Sequence, residues 1–291
     1  MDALKIEFEN VSFRYQNRSS DDAQPVLKNV SLSFKSDEAV AVIGANGAGK
    51  STFLQLLTGL GKPSRGRVAV NGQNIHDKDF SLAELRQHIG LVFQSPESQL
   101  FASSVEQDIA FGPRNLGLSE NEVKKRVRDA MAALSLDYEL FAKRTIFELS
   151  QGEKRKAAIA GVLALNPQML AIDEPLAGLD AQSKRILAEK LRSWRDKSDK
   201  GLMVVSHDMD FALSIANRII LFDDGRILAD VHRNAASQLF EDFSRQTAPP
   251  RAWRMAKKLR EMNIFIPPHV VTTDELMISL ASESERNLHR N

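Results

Sequence analysis

A glycine-rich segment that follows an apolar run limits what this chain can fold into more than any other feature. Residues 39–43 form an apolar run typical of a buried strand, and an apolar helical pattern begins at Phe53. Between them, Gly44-x-x-x-x-Gly49-Lys50-Ser51 fulfils the phosphate-binding loop pattern, with a strand before it and a helix after it. This context makes an ordinary glycine-rich turn a much weaker explanation of the segment.

The chemistry of such a loop follows from its backbone and two side chains. Glycines let successive N–H groups turn into one concavity, and the new helix adds the positive end of its dipole. Lys50 is expected to reach the outer phosphates, and the Ser51 hydroxyl to ligate Mg²⁺. We therefore predict that the chain binds a nucleoside triphosphate with Mg²⁺. The residues predicted to hold it in this segment are Gly44, Ala45, Asn46, Gly47, Ala48, Gly49, Lys50, Ser51 and Thr52.

Composition excludes several other classes of protein. The chain has 291 residues, enough for two domains or one elaborated domain. Its 39 Lys and Arg nearly balance its 38 Asp and Glu, so no overall field attracts nucleic acid, and no nucleic-acid partner is expected. It has no cysteine, which excludes disulfides and thiolate metal sites. The longest apolar stretch, residues 157–165, is too short to span a bilayer, so we expect an intracellular chain that reaches membranes through partners.

The order of predicted elements indicates a parallel sheet. The opening part mixes antiparallel strands with one core strand, and residues 17–22 are predicted to form a polar hairpin loop. Strands then alternate with helices, and ligands of parallel sheets bind at the carboxyl ends of the strands. Gly44, Gln94, Asp173 and His207 all follow such ends, so we predict that they converge on one crevice.

The pattern loosens beyond about residue 235, which indicates a domain boundary. Ala248-Pro249-Pro250 is a linker-like break. Residues 253–262 are predicted to form a basic amphipathic helix and residues 273–280 a short capped one. The polar end, residues 282–291, is expected to fray.

Two adjacent carboxylates follow an apolar run far from the phosphate loop in sequence. Asp173 fits the carboxylate that holds Mg²⁺ in phosphate-loop enzymes, and Glu174 can polarise an attacking water. An Asp-Glu pair at a strand end is most often a polar turn, but downstream of a phosphate loop the catalytic interpretation is favoured.

The segment just before these carboxylates carries a family resemblance. Leu149-Ser150-Gln151-Gly152-Glu153 resembles the Leu-Ser-Gly-Gly-Gln signature of the ATP-binding cassette (ABC) ATPases, and the other motifs stand in the family's order over residues 4–229. The resemblance implies an α/β phosphate-loop NTPase of the ABC ATPase fold. That fold has a parallel core sheet, an N-terminal antiparallel β subdomain and an inserted α-helical subdomain at about residues 95–165. The ATPase domain would occupy residues 1–235, and residues 236–291 would form a small C-terminal extension with a possible dimerisation or regulatory role.

The same resemblance implies roles for individual residues. Tyr15 would stack on adenine, Gln94 would sense the metal and the attacking water, Asp180 would cross to a partner subunit, and His207 would contact the γ-phosphate. The implied catalytic residues are Glu174, His207, Lys50 and Gln94. The implied metal ligands are Ser51, Gln94 and Asp173, and Ser150, Gly152 and Asp180 would complete the ATP site.

A narrower resemblance concerns residues 92–101, 108–113 and 116–118 and the tail residues 264–268. These segments are similar to the ATPases of energy-coupling factor transporters, which serve cobalt, nickel and vitamin uptake. The resemblance implies a peripheral protein on the cytoplasmic face of the cell membrane. Its partners would be a transmembrane coupling subunit, a substrate-binding membrane subunit and a second ABC ATPase, identical or not. The alternatives are a generic importer or exporter ATPase, a non-transport ABC protein, and a regulatory ATP-binding module without turnover.

Two positions depart from the family signature. Gln151 replaces a glycine near a helix start, so it is expected to crowd the nucleotide, and Glu153 is expected to favour the helix dipole but repel phosphate. We expect a working site, and if the two departures tune it down, Gln151→Gly with Glu153→Gln should raise turnover.

The tail also carries an expectation. Its apolar residues are expected to contact a second ATPase subunit rather than their own domain; they are Trp253, Met255, Leu259, Ile264 and Ile266.

Overall fold

The computed structural model describes residues 2–15, 24–198 and 200–288. The predicted hairpin loop at residues 17–22 lies outside this described part. The strands are β1 Lys5–Phe13, β2 Leu27–Lys35, β3 Ala39–Gly44, β4 Arg65–Val70, β5 Gln73–Asn74, β6 Ile89–Val92, β7 Met169–Asp173, β8 Gly201–Val205, β9 Arg218–Asp223 and β10 Arg226–His232. The helices are α1 Lys50–Leu57, α2 Leu82–His88, α3 Val105–Asn115, α4 Glu120–Ala133, α5 Tyr138–Phe141, α6 Gln151–Leu163, α7 Ala181–Ser198, α8 Met209–Ile215, α9 Ala236–Asp242, α10 Arg251–Glu261 and α11 Thr273–Leu288.

The larger sheet has the order β10-β9-β3-β8-β7-β6. β3 pairs in parallel with β8 and β9, and the parallel run continues through β7 to β6, while β10 is antiparallel to β9. Both faces of this sheet are covered. Leu170 and Ile172 enter one apolar core, and Met169 and Ala171 enter another. Burial on both faces explains why these strands are continuous apolar runs rather than alternating ones.

The smaller sheet is antiparallel, in the order β2-β1-β4-β5, and it packs on the helix that follows the phosphate loop. Phe53 of α1 is the centre of this contact. Its ring centroid lies 4.6 Å from that of Phe8, 6.5 Å from that of Phe34 and 5.4 Å from that of Phe222. These rings join both sheets to α1, so the start of α1 has a fixed position between them.

Helices α3 to α6 lie between β6 and β7 in the chain and form a separate helical layer. Their shared core includes Val105, Ile109, Val127, Met131 and Ile159, all fully or almost fully buried. α6, whose start carries the signature-like segment, packs on α3 and α4. The predicted fold class, an ABC ATPase fold with parallel and antiparallel sheets and added helices, is confirmed.

Two helices are longer than the sequence predicts. The pattern that begins at Val105 predicts a helix ending at Phe111, but α3 continues through Pro113 to Asn115. α11 was expected to end near residue 280 and to fray from residue 282, but it reaches Leu288. The Ser282 hydroxyl donates to the Ile278 carbonyl, which satisfies this polar group within the helix.

The C-terminal extension packs on the ATPase sheet. Trp253 is 5% exposed in a core with Ile43, Leu221 and Phe240. Ile266 is buried in a small cluster against which Leu259 and Ile264 pack. The expectation that the tail's apolar set faces another subunit is therefore wrong for Trp253 and Ile266, which are buried within their own chain, whereas Leu259 and Ile264 are only partly buried. Met255 alone of that set is exposed, at 54%.

Among the described residues, no helix combines the length and apolar character that crossing a bilayer requires.

Candidate active site

The phosphate loop turns tightly because two of its glycines have no space for a side chain. A Cβ atom on Gly44, whose φ is +141°, would lie 2.1 Å from the carbonyl oxygen of Phe222. One on Gly49, whose φ is +98°, would lie 2.6 Å from a methyl group of Leu27. Only glycine allows this backbone to pass so close to β9 and β2. The sequence prediction of a constrained loop at this point agrees with the geometry.

Lys50 lies under this loop and is almost fully buried. Its ammonium group donates to the carbonyl oxygens of Gly44, at 2.9 Å, and Ala45, at 2.8 Å. Burial lowers the pKa of Lys50, and the charges of Glu174 and Asp173 act in the opposite direction. The Lys50 ammonium group is therefore close enough to the Asp173 and Glu174 carboxylates for their charges to interact.

Asp173 ends β7 and is 6% exposed. Burial raises its pKa, whereas a hydrogen bond with the Ser51 side chain and the charge of Lys50 act to lower it. A carboxylate beside a serine hydroxyl offers the hard oxygen ligands that Mg²⁺ prefers. Gln94, which lines the same cleft, offers an amide oxygen. The donors present thus fit Mg²⁺. In the described part of the chain, no group of three or more His, Cys, Asp or Glu side chains is arranged to hold a metal.

Glu174 occupies an unusual backbone conformation. Its φ is +48°, a region that non-glycine residues enter at a cost, and such strain clusters at functional sites. Its N–H donates to the carbonyl of Val205 at 2.9 Å, which fixes the turn against β8. Its carboxylate Oε2 lies 2.8 Å from Nδ1 of His207. The turn thus directs the carboxylate toward the histidine that follows the neighbouring strand.

These groups surround a cleft of about 310 Å³ at the carboxyl ends of the parallel strands. Nine predicted residues line it: Asn46, Gly47, Gly49, Lys50, Ser51, Thr52, Gln94, Asp173 and Glu174. Val26 and Val205 also line it and were not predicted. Their apolar side chains carry no chemical signal, and only packing brings them to the cleft. Of the four strand-end residues predicted to converge, Gln94 and Asp173 line this cleft, His207 reaches it only through Glu174, and Gly44 is not part of its lining.

Tyr15 lies beside the first turn of α1. Its hydroxyl is 3.0 Å from the Thr52 hydroxyl and donates to Oε1 of Gln55, also at 3.0 Å. Phe13 packs edge-on against its ring, which is 50% exposed. An exposed aromatic ring fixed next to the phosphate loop suits base stacking, and the contact with adenine stays a prediction.

Seven of the predicted ATP-binding residues do not line this cleft: Tyr15, Gly44, Ala45, Ala48, Ser150, Gly152 and Asp180. Ser150 and Asp180 are exposed and Gly152 is half-buried. The Ser150 hydroxyl accepts the N–H of Glu153 and so caps α6. Asp180 accepts the N–H groups of Gln182 and Ser183 at the start of α7. Ser150, Gly152 and Asp180 lie outside the cleft of their own subunit. Their contact with ATP stays a prediction, and it would involve the ATP bound by a second subunit.

The two departures from the family signature have partners within the chain. The Glu153 carboxylate accepts the N–H of Ser150 at 2.7 Å and lies 3.7 Å from Arg144. The Gln151 amide donates to Oε1 of Glu97 at 2.6 Å. Both side chains are thus held by hydrogen bonds within their own chain. The expectation that Gln151 crowds the nucleotide and Glu153 repels phosphate did not take these bonds into account.

The fold and the cleft together define a phosphate-loop ATPase of the ATP-binding cassette class. The ABC transporter family matches residues 27–177. The energy-coupling factor transporter ATP-binding protein EcfA2 of Caldanaerobacter subterraneus subsp. tengcongensis is 43% identical over 94% of this chain and 95% of its own. The protein of the same name from Clostridium perfringens is 37% identical, and the match covers 99% of both chains.

Solved structures agree with this result. The structure of cbiO1 from Clostridium perfringens, part of the ABC transporter complex cbiONQ, has a TM-score of 0.72 and 29% identity, covering 89% of this chain and 96% of that one. A dimeric ATP-binding cassette in a post-hydrolysis state with ADP and Pi has a TM-score of 0.69 and 29% identity, covering 78% and 98%. The chain belongs to the ABC transporter family, and within it to the energy-coupling factor transporter ATP-binding proteins. It is an ATPase that couples ATP hydrolysis to transport across a membrane.

Proposed function

We propose that this protein powers the uptake of a vitamin or of a transition-metal ion such as cobalt or nickel, as the ATPase subunit of an energy-coupling factor transporter. The observation that carries the proposal is the cleft in which Lys50, Asp173 and Glu174 meet, in a chain that resembles the EcfA2 proteins along nearly its whole length. The alternative is a generic ABC ATPase that serves another class of solute.

The proposed chemistry assigns one task to each group in the cleft. The loop N–H groups and Lys50 hold the β- and γ-phosphates. Glu174 polarises the attacking water, Gln94 positions it, and His207 holds the Glu174 carboxylate and contacts the γ-phosphate. Bound Mg²⁺, held by Ser51, Gln94 and Asp173, would neutralise charge on the phosphate oxygens.

The proposed working unit is a pair of ATPase subunits. Ser150 caps a helix whose first N–H groups, with its hydroxyl, form a second surface suited to an anion. Because Ser150, Gly152 and Asp180 lie outside their own subunit's cleft, we place them over the nucleotide of a second ABC subunit, identical or not. The proposed location is the cytoplasmic face of the cell membrane, where the pair acts on a transmembrane coupling subunit and a substrate-binding membrane subunit.

A mixing experiment tests the shared site. Lys50→Ala subunits are combined with Ser150→Arg subunits, neither of which should hydrolyse ATP alone. A mixed dimer holds one intact phosphate loop facing one intact signature, so part of the activity should return. If mixed dimers are shown to form but no ATPase activity returns, the idea that the protein pairs with itself and needs only one intact site would be refuted. Turnover strictly proportional to protein concentration, without any dimer at saturating ATP, would overturn the shared site altogether.

A second experiment tests the transport role. Purification in mild detergent should recover this chain with two kinds of membrane protein, one of which binds the solute. Recovery with the membrane domains of a generic importer or exporter instead would favour the alternative. Uptake of labelled cobalt, nickel or a vitamin by vesicles that contain the complex then identifies the solute class.

A further inference from the structure

One buried carboxylate, Glu97, joins three segments that carry residues of the ATPase machinery. It lies in the short turn Pro96–Gln99, three residues after Gln94, and its side chain is 11% exposed. Its oxygens accept the Gln151 amide at 2.6 Å and Nε and Nη2 of Arg155, each at 3.2 Å. The first segment is thus tied to the first two turns of α6.

Arg155 extends the connection to a third segment. Its side chain is 4% exposed, and its Nη1 donates to the carbonyl oxygens of Pro175, at 3.2 Å, and Ala177. Those carbonyls belong to the loop between Glu174 and Asp180. The two-pronged geometry of a guanidinium on a carboxylate fixes direction as well as distance. Since both charges are buried, neither can be moved without leaving the other uncompensated.

The three joined segments serve different parts of the proposed machinery. Gln94 lines the cleft of its own subunit, Asp180 is exposed at the start of α7, and Ser150 caps α6 beside Gln151. Glu97 and Arg155 therefore connect all three segments by direct hydrogen bonds.

We infer that Glu97, Arg155 and Gln151 form a positioning unit. This unit holds Gln94 and the loop before Asp180 in a fixed position relative to the signature turn. Gln151, which stands where the family has glycine, would thus contribute to turnover by its hydrogen bond to Glu97. This inference rests on the proposed shared site. It leads to a different expectation at the signature turn: Gln151→Gly alone should lower turnover, whereas the sequence led us to expect that Gln151→Gly together with Glu153→Gln raises it.

Gln151 offers a clean test because it is exposed, so its variants are expected to fold. Gln151→Ala and Gln151→Gly should lower kcat by on the order of tenfold, since small misplacements of catalytic groups cost rate steeply. The dissociation constant for ATP and the unfolding midpoint should stay at their wild-type values, because the phosphate loop and the core are untouched. The matched control is Gln238→Ala, which removes a similar exposed amide–carboxylate bond, to Asp242 at 2.9 Å, far from this unit. It should change nothing.

A double-mutant cycle tests whether the effect runs through Glu97. Glu97→Ala combined with Gln151→Ala should lower kcat no further than Glu97→Ala alone, because Glu97→Ala already removes the acceptor of the Gln151 amide. Fully additive losses would contradict the unit, and so would a wild-type or raised kcat for Gln151→Ala. The proposed function is checked separately in the wild type. If wild-type turnover does not depend on dimer formation, the proposed shared site is wrong. If it does and Gln151→Ala is unaffected, only the present inference fails.

Discussion

The Nδ1 atom of His207 lies 2.8 Å from Oε2 of Glu174. The carboxylate is largely buried, with 12% of the side chain exposed, whereas the imidazole is 64% exposed. The histidine thus reaches in from the surface and restricts the orientation of a carboxylate whose backbone is already strained at φ +48°. This pairing makes Glu174 the strongest candidate for the group that activates water.

Glu174→Gln should retain ATP binding and lose hydrolysis. The amide keeps the shape of the side chain but cannot accept a proton, and a positioned general base contributes about 10²–10⁴-fold in rate. Equilibrium binding of labelled ATP and single-turnover phosphate release measure the two quantities separately. Lys50→Ala is the opposite control, since it should lose binding itself. Hydrolysis by Glu174→Gln at the wild-type rate would show that another group activates the water.

Gly225→Ala should weaken ATP binding through the backbone. Gly225, at φ +75°, donates its N–H to the Ala48 carbonyl of the phosphate loop, and a Cβ would lie 2.4 Å from the Val26 carbonyl oxygen. Relief of that overlap must displace Val26, which lines the cleft. We expect a loss of roughly 1–3 kcal/mol in stability, as for other overpacked sites, and weaker binding in a titration.

Gly72→Ala is the matched control for that substitution. Gly72 has nearly the same φ, +83°, but nothing lies within 4 Å of the added Cβ. Gly72→Ala should lower stability only by the cost of placing alanine at a positive φ, and its affinity for ATP should stay unchanged. Equal effects of the two variants on ATP affinity would remove the argument that the β9–β10 turn supports the phosphate loop.

Glu97→Gln should destabilise the protein in a manner that depends on pH. Burial acts to raise the pKa of Glu97, but hydrogen bonds from Arg155, from its own backbone and from Gln151, with the Arg155 charge, hold it below the ordinary value of 4.5. A carboxyl with a lowered pKa stabilises the fold fully above its ordinary pKa, and that stability is lost as pH falls through the folded-state pKa. The free energy of unfolding of the wild type should therefore exceed that of Glu97→Gln by roughly 2 kcal/mol at neutral pH, the usual size for hydrogen bonds to a charged group. The gap should close below pH 4.5.

Glu120→Gln is the exposed counterpart. Glu120 forms a similar two-pronged pair with Arg114, at 3.0 and 3.1 Å, and a hydrogen bond from Arg114 lowers its pKa. Because the side chains of Arg114 and Glu120 are 47% and 63% exposed, urea unfolding should show a much smaller loss than for Glu97→Gln. Comparable losses would mean that burial is not what gives the Glu97 pair its strength.

Trp253→Ala should destabilise the protein by about 3–5 kcal/mol, the usual cost of removing a large core aromatic. Its ring packs with Phe240, at 6.0 Å between centroids, over the sheet that carries the phosphate loop. Met255→Ala, two residues along the same helix, should have almost no effect because Met255 is 54% exposed. Thermal unfolding of both variants decides whether the extension is an integral part of the domain; a small effect of Trp253→Ala would argue against that.

The amino-acid sequence by itself determined the phosphate loop, the Asp173–Glu174 pair and the position of the signature turn. Each depends on a few consecutive residues: an apolar run that must form a buried strand, glycines where the backbone passes other atoms closely, and a serine at a helix start. Spacing alone shows the phosphate loop and the strand that precedes the carboxylate pair, whereas the signature turn was identified by its resemblance to the family's Leu-Ser-Gly-Gly-Gln segment.

Only the tertiary structure decided which distant side chains meet. Gln151 and Glu97 are 54 positions apart, and no periodicity indicates that an amide meets a carboxylate there. The tail shows the same limit, because Trp253 and Met255 are both apolar and lie on one helix, yet one completes the core and the other faces solvent. Sequence patterns encode which side of an element is apolar, whereas the partner of that side is set by how the elements pack around the sheet.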